Sequence, residues 1–267
     1  MQIGFIGAGA MAGAIIKGVI SAGHLTCNQL GAYDVDTAKL ATLAEQTSIT
    51  AYSSNQHLLE HCDVVVLAIK PHLMAEVLEQ IAPTTRANHP LIISIAAGIS
   101  LAKLANWLGD DQPLIRVMPN LNVQVSAGMT AIVPNQVAKP AQVTQALDLF
   151  GALGQTMLLE ERLIPAFTAV AGSSPAWVFQ LIDALARGGL VAGLPKQLGL
   201  QAATQAVFGS AKLLAASDLH PGQLIDQVAS PGGTTVAGLT ELDNRGFGAA
   251  VVAAVAATIR REGELAN

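Results

Sequence analysis

Along the first 160 residues, short aliphatic and β-branched runs alternate with longer stretches of helical character. Ile3-Gly4-Phe5-Ile6 reads as a strand, followed by a glycine-rich turn and a helix through about Ala22. Leu30 to Tyr33 is a second strand. The run Asp63-Val64-Val65-Val66-Leu67-Ala68-Ile69 is almost continuously apolar, the pattern of a strand covered on both faces. Leu91-Ile92-Ile93-Ser94-Ile95 and Leu114-Ile115-Arg116-Val117 follow, with helices between them. This alternation predicts a doubly wound parallel α/β sheet. After about Leu159 the strand-like runs stop, and Ala/Leu/Gly/Gln-rich segments over 174–193, 196–216, 221–229 and 235–263 predict helices. Pro195, Pro221 and Pro231 punctuate them at first-turn or loop positions. The pattern therefore predicts two domains, an α/β domain over 1–160 and an all-helical one over 161–267. No internal repeat or low-complexity tract is evident.

Composition narrows the class. The 267 residues are 51% hydrophobic with 25 glycines, yet only 4% aromatic and 12% charged, about half the ~25% charge of ordinary soluble proteins. Disorder is excluded, because so much apolar side chain offsets the entropy of ordering. Two cysteines, Cys27 and Cys62, exclude a disulfide scaffold. The net charge is −5, and the densest basic stretch is Arg260-Arg261 beside Glu262, which excludes a nucleic-acid partner. Met1-Gln2-Ile3-Gly4 lacks the basic start of a signal peptide, so a cytoplasmic protein with reduced thiols is expected. Residues 163–182 carry no charge, but Pro165 and Gly172-Ser173-Ser174-Pro175 would break a span near mid-bilayer. Phe247 to Ile259 is too short and mostly alanine. Buried helices are expected in place of a membrane segment.

Gly7-Ala8-Gly9-Ala10-Met11-Ala12 directly follows a strand and opens a helix. In such a G-x-G-x-x-A turn the first glycine permits the bend and the second lets a pyrophosphate approach the backbone. The small last residue lets helix pack on strand, and the helix N-terminus supplies free N–H groups to the phosphates. Gly7, Gly9, Ala10 and Met11 are thus candidates for binding a nicotinamide dinucleotide. Asp34 closes the second strand, where an acid accepts the ribose hydroxyls of NAD. No arginine follows it and Lys39 is the nearest base, so the residues lean toward NAD over NADP. The alternative is that Asp34 caps the next helix ahead of Thr37.

Further segments carry a more specific likeness. They are Ala68-Ile69-Lys70-Pro71, Ser94-Ile95-Ala96-Ala97-Gly98, Arg116-Val117-Met118-Pro119-Asn120, Ala171-Gly172-Ser173-Ser174-Pro175-Ala176, and His220-Pro221-Gly222 leading to Ser230-Pro231-Gly232-Gly233-Thr234-Thr235. In this order, over nearly the whole chain, the set resembles the pyrroline-5-carboxylate reductase family. That resemblance implies reduction of the cyclic imine 1-pyrroline-5-carboxylate to L-proline by NAD(P)H, the last step of proline biosynthesis. It implies a Rossmann-type doubly wound sheet followed by an all-α helical dimerisation domain through which two chains interleave. It further implies homodimers assembling into pentamers of dimers, each active site lying between one chain's nucleotide and its neighbour's helices.

The resemblance also implies residue roles. Asn55 falls near the adenosine ribose, although by sequence it is an ordinary N-cap. Ala68, Lys70, Pro71, Ala96 and Gly98 follow strand ends on the cofactor side, where Lys70 is otherwise a solvated loop residue. Met118, Pro119 and Asn120 border the nicotinamide. Ser230, Gly232, Gly233, Thr234 and Thr235 hold the substrate carboxylate, and the Thr235 hydroxyl lies near the ring nitrogen as a catalytic group. Backbone N–H groups and hydroxyls at a helix N-terminus suit an anion; the alternative is a helix cap with a glycine hinge. Asp218, otherwise a surface-turn residue, matches an acidic catalytic position.

The six histidines are read as scattered, without pairing at helical spacing, and no metal ligand set is expected. A protonated imine is already electrophilic, so the chemistry asks for positioning more than for acid–base machinery. Asp34 stands out, since a carboxylate repels the 2′-phosphate of NADP. Use of both nucleotides is expected, with Asp34 leaning toward NAD. A hydroxyacid dehydrogenase would need an Asn or Asp one turn after a helical lysine, and neither Lys196 nor Lys212 has one. A non-catalytic nucleotide sensor would have no use for the Ser230–Thr235 turn.

Overall fold

In the computed structural model, which describes residues 1–266, the expected strands form as β1 (Ile3–Ile6), β2 (Leu30–Tyr33), β4 (Val64–Leu67), β5 (Leu91–Ser94) and β6 (Leu114–Met118). Three more complete the sheet: β3 (Thr50–Ala51), β7 (Gly128–Pro134) and β8 (Gly154–Leu158). Their order is β3-β2-β1-β4-β5-β6-β7-β8. The sheet departs from the expected all-parallel arrangement at one place, because β7 runs antiparallel to β6. Only a short turn over Leu121–Val125 joins them, too little chain for a crossover. β8 then pairs parallel with β7.

The helices cover both faces: α1 (Ala10–Ser21), α2 (Thr37–Thr47), α3 (Asn55–Leu59), α4 (Met74–Asn88), α5 (Leu101–Leu108) and α6 (Pro140–Gly151). Successive side chains of β4 divide between two cores. Val64 and Val66 join Ile15, Ile16 and Val19 of α1 and Phe150 of α6. Val65 and Leu67 join Leu58, Leu78 and Leu104 on the other face. Burial on both sides is why these strands read as continuous apolar runs.

The register sets the site. Ile6 pairs with Tyr33 on one side and Leu67 on the other, so Gly7, Asp34 and Ala68 follow abreast at the carboxyl edge. The chain order reverses about β1, and such a switch point is where open α/β sheets bind ligands.

By compactness the chain divides into residues 1–172 together with the segment from Thr258 onward, and Ser173–Ala257. Helix begins earlier than expected, as α7 (Ile164–Phe167) continues through a π-helical segment, Thr168–Ser173, into α8 (Ser174–Val191). Then come α9 (Lys196–Ala215), α10 (Pro221–Val228), α11 (Thr234–Asn244) and α12 (Phe247–Ala266). The helix expected over 235–263 is therefore two, broken at Gly246, whose φ of +70° ends α11. Within Ser173–Ala257, α8 and α9 approach so closely that a Cβ on Gly199 would lie 3.1 Å from the Ala186 carbonyl oxygen. The unit buries little else. Phe179 is 55% exposed, Val191 91%, Phe208 60% and Val252 70%, an apolar surface of the kind that marks an interface. Among the described residues, no helix is long and apolar enough to cross a membrane.

Candidate active site

Gly7 adopts φ +106°, and a Cβ there would meet the Ala68 carbonyl oxygen at 2.6 Å, so glycine is required on both counts. Gly9 is the N-cap of α1 and contributes no capping side chain. A Cβ on Gly9 would meet nothing within 4 Å, which leaves open space beside the first turn. Ala10 and Met11 form that turn. The turn is stitched to β2 twice. Gly7 N donates to Tyr33 O at 2.8 Å, and Ala8 N donates to Asp34 Oδ2 at 2.7 Å. The other Asp34 oxygen accepts from Asp36 N at 2.8 Å.

The alternative role for Asp34 as a helix cap is overturned, because the N-cap of α2 is Asp36. Its Oδ1 accepts from Lys39 N at 3.2 Å, and its Oδ2 lies 2.8 Å from the Lys39 ammonium. That ammonium's hydrogen bond holds the Asp36 carboxyl below its ordinary value.

Asn55 is not a cap either: Ser54 caps α3, its hydroxyl accepting from His57 N at 3.0 Å. Asn55 is instead the first helical residue, and its Oδ1 is buried without a hydrogen-bond partner. A buried orphan acceptor at this edge suits a ligand that brings a donor. The uncapped α1, the open face of Gly9 and this acceptor together fit a dinucleotide. Ala68 continues β4, and exposed Lys70 caps a short turn over Pro71–Leu73. Ala96 N donates to Ser94 Oγ at 3.4 Å, ahead of Gly98 in the loop that leads to α5. A groove of about 860 Å³ starts at Ala8, Gly9 and Ala10 but runs away from the sheet edge between α1 and α2, so only its mouth belongs to this site.

Met118 ends β6, and Asn120 follows through Pro119. Asn120 is 6% exposed, and both ends of its amide are engaged. Nδ2 donates to Ala171 O at 2.9 Å, and Oδ1 accepts from Met129 N at 3.2 Å. Its polar atoms thus bracket β7 and the helical segment after α7, a role that sequence reasoning missed. Met118 approaches the same segment, its Cε standing 3.8 Å from where a Gly172 Cβ would be.

In the helical unit, the cap of α11 is Gly233, and no side chain caps the helix. The alternative of a helix cap with a glycine hinge thus stands in the form of Gly233 itself, without a capping side chain. Gly233 N donates to Ser230 O at 3.0 Å, and a Cβ on Gly233 would collide with Ser230 Oγ. Ser230, Gly232 and Thr234 are exposed and Thr235 is half-buried. The first turn of α11 carries no acid, so its N–H groups and hydroxyls present a partial positive charge suited to a carboxylate. Asp218 lies exposed in the turn before α10. His220 caps α10, its Nδ1 accepting from Gly222 N at 3.1 Å.

The histidines are not all scattered. His57 and His61 stand four residues apart, with ring centroids 4.7 Å apart and Tyr52 packed against both. Their Nδ1 atoms are occupied locally, by Ser53 Oγ at 3.0 Å and by His57 O at 2.8 Å. Burial pushes the Tyr52 hydroxyl up to about 12. Among the described residues no group of three or more His, Cys, Asp or Glu could hold a metal ion.

Residues 161–265 match the family model described as pyrroline-5-carboxylate reductase dimerisation. Over 266 residues the chain is 38% identical to the pyrroline-5-carboxylate reductase of Escherichia coli (strain K12), covering 100% of this chain and 98% of that one. The chain belongs to the pyrroline-5-carboxylate reductase family. A second model, described as NADP oxidoreductase coenzyme F420-dependent, matches residues 2–98. Solved reductases share the architecture. One from Streptococcus pyogenes has a TM-score of 0.88 at 40% identity, each chain covered over 98%. One from Plasmodium falciparum, with NADP bound, has a TM-score of 0.90 at 29% identity, with 100% of this chain and 98% of that chain covered.

Proposed function

We propose that this chain reduces 1-pyrroline-5-carboxylate to L-proline with NADH or NADPH, the last step of proline biosynthesis. The observation that carries the reading is a pair of uncapped helix N-termini. That of α1 stands at the glycine turn and suits a pyrophosphate; that of α11, ringed by hydroxyls, suits the substrate carboxylate.

When bound, the reduced nicotinamide supplies the hydride that the imine carbon receives. This chain's residues bind and orient. Gly7, Gly9, Ala10 and Met11 hold the pyrophosphate; Asp34 and Asn55 face the adenosine ribose; Ala68, Lys70, Pro71, Ala96 and Gly98 line the cofactor edge; and Met118 and Pro119, fixed by Asn120, flank the nicotinamide. Ser230, Gly232, Gly233 and Thr234 hold the carboxylate. The Thr235 hydroxyl steadies the ring nitrogen, which carries one proton as the C=N bond becomes a C–N bond. Asp218 raises the local negative potential that favours the protonated imine.

Two carboxylates, Asp34 and Asp36, stand at the end of β2 with one lysine already paired to Asp36. An acceptor-rich ribose site supports NADH as the favoured nucleotide, with NADPH also used. The exposed apolar faces of α8, α9 and α12 support a homodimer in which one protomer's Ser230–Thr235 turn serves its partner's nucleotide. Pentamers of dimers extend the same reading, as do a functional division at 160/161 and a cytoplasmic location in which Cys27 and Cys62, both free thiols, stay reduced.

The test is oxidation of NADH and of NADPH by the purified chain with and without pyrroline-5-carboxylate. Imine-dependent oxidation is expected with both. Binding of nucleotide without it would make the chain a sensor. Thr235→Val is expected to lower kcat, and a wild-type kcat at every pH would remove the hydroxyl from the mechanism.

A further inference from the structure

The end of α12 carries a buried acid that the chemistry above does not use. Glu262 belongs to the compact unit of residues 1–172, and its side chain is only 10% exposed. Its Oε1 accepts from Thr168 Oγ1 at 3.3 Å and lies 3.8 Å from Arg116 Nη2. Arg116, equally buried in β6, donates through Nη1 to Glu161 Oε1 at 3.0 Å. That same Glu161 oxygen accepts from Leu101 N at 2.8 Å, at the start of α5. One guanidinium therefore faces two carboxylates, from the turn after β8 and from α12, and Glu262 Oε2 is left buried with no hydrogen-bond partner.

Glu262 touches β6, which leads into Met118–Pro119–Asn120, and the π-helical segment whose Ala171 carbonyl the Asn120 side chain holds. Arg116 stands two residues before Met118 on β6. Thr168 stands three residues before Ala171, whose carbonyl Asn120 holds. Buried ion pairs add little net stability over apolar packing, but they fix one arrangement among several. We propose that Glu262 is a positioning residue for the reaction, its side chain docking the last turns of α12 on Arg116 and Thr168 and so holding Met118–Pro119–Asn120 in place beside the nicotinamide. The kinetic part rests on the function proposed above; the docking rests on the geometry alone.

Burial raises the affinity of Glu262 for its proton, and the Thr168 hydrogen bond and Arg116 offset this only in part. The folded state thus binds the proton more tightly than the unfolded chain. The stability Glu262 contributes is therefore complete below the ordinary glutamate range and shrinks as pH rises through the raised value, while the ionised side chain keeps Arg116 and Thr168 as its partners.

The experiment uses the full chain as Glu262→Ala and Glu262→Gln. KM for NADH, KM for the imine, kcat and Tm are measured between about pH 5 and pH 9. Glu262→Ala is expected to raise the KM for NADH about tenfold while leaving the KM for the imine unchanged. Glu262→Gln, isosteric with the neutral acid, is expected to keep wild-type kinetics and to lack the wild-type fall in Tm with rising pH. Wild-type values in both variants would overturn the proposal. If Glu262→Ala fails to fold, Thr168→Val, which removes the hydrogen bond to Glu262 Oε1, takes its place, and an unchanged KM for NADH in it overturns the proposal. If the wild type binds NADH yet shows no imine-dependent turnover, the proposed function fails instead. The Kd for NADH, read by nicotinamide fluorescence, then replaces KM: a tenfold rise in Glu262→Ala supports the docking role and an unchanged value overturns it.

Discussion

The Asn120 side chain donates a 2.9 Å hydrogen bond to the carbonyl oxygen of Ala171, across 51 positions of sequence. Pro175, four residues beyond Ala171, has no N–H to return to that carbonyl as an α-helix would require. The helix opens into its π-helical segment just there, and Asn120 takes up the acceptor.

Asn120→Asp is therefore expected to place a carboxylate against a carbonyl and to cost about 1–3 kcal/mol of stability. Thermal unfolding measures this directly. Were Asn120 instead a direct contact to the nicotinamide, kcat would fall while Tm stayed at the wild-type value. That outcome would return it to the cofactor-contacting residues.

The two glycines of the nucleotide turn are expected to fail differently. Gly7→Ala forces a Cβ toward the Ala68 carbonyl at φ +106°, so both Tm and NADH binding should drop. Gly9 sits at φ −70°, which alanine accepts, with nothing in the chain within reach of the new methyl. Gly9→Ala should fold with an unchanged Tm and bind NADH at least about tenfold more weakly. Calorimetry and fluorescence titration on the pair separate the two effects, and unimpaired NADH binding by Gly9→Ala would displace the pyrophosphate from this turn.

Asp34 serves two masters. Its oxygens receive the main-chain N–H groups of Ala8 and Asp36 at 2.7 and 2.8 Å, while its charge bears on whatever occupies the ribose 2′ position. Asp34→Ser is expected to move the NADPH-to-NADH ratio of kcat/KM upward by about tenfold, because the repulsion is gone. It should also raise both KM values, because the clasp on the turn is lost. A ratio that does not move would mean that the carboxylate plays no part in choosing the nucleotide.

The strands of the first half were legible because burial on both faces writes an unbroken apolar run, as in Val64–Leu67. β8 was not, since its residues are half-buried or exposed at the sheet edge and carry no such run. The reversal at β7 depends on the shortness of the Leu121–Val125 link rather than on any periodicity. At the site, the glycine turn could be read because its chemistry is local. Which of two aspartates caps α2 could not be settled from propensity alone, though Lys39 three residues after Asp36 was the available signal. The His57–His61 pair was in plain view at helical spacing and was passed over. Asn120–Ala171 and Thr168–Glu262 link residues 51 and 94 positions apart, and only the fold brings them together.

Thr234 offers the sharpest separation between an anion site and an ordinary helix start. It is exposed at the first position of α11, beside an N-cap glycine that contributes no side chain. Thr234→Asp would place a carboxylate at that N-terminus, where the helix dipole favours it by about 0.3–1 kcal/mol. If the turn exists only to start the helix, the variant should be at least as stable as the wild type and equally active. If the same N–H groups receive the substrate carboxylate, the new side chain occupies their place and repels the incoming anion. Tm should then hold or rise, NADH binding should be untouched, and the KM for the imine should climb about tenfold or more, a cost of about 1.4 kcal/mol or greater. Stability gained with substrate affinity lost identifies the free N-terminus of α11 as a binding element, whereas unchanged imine kinetics would move the carboxylate site elsewhere.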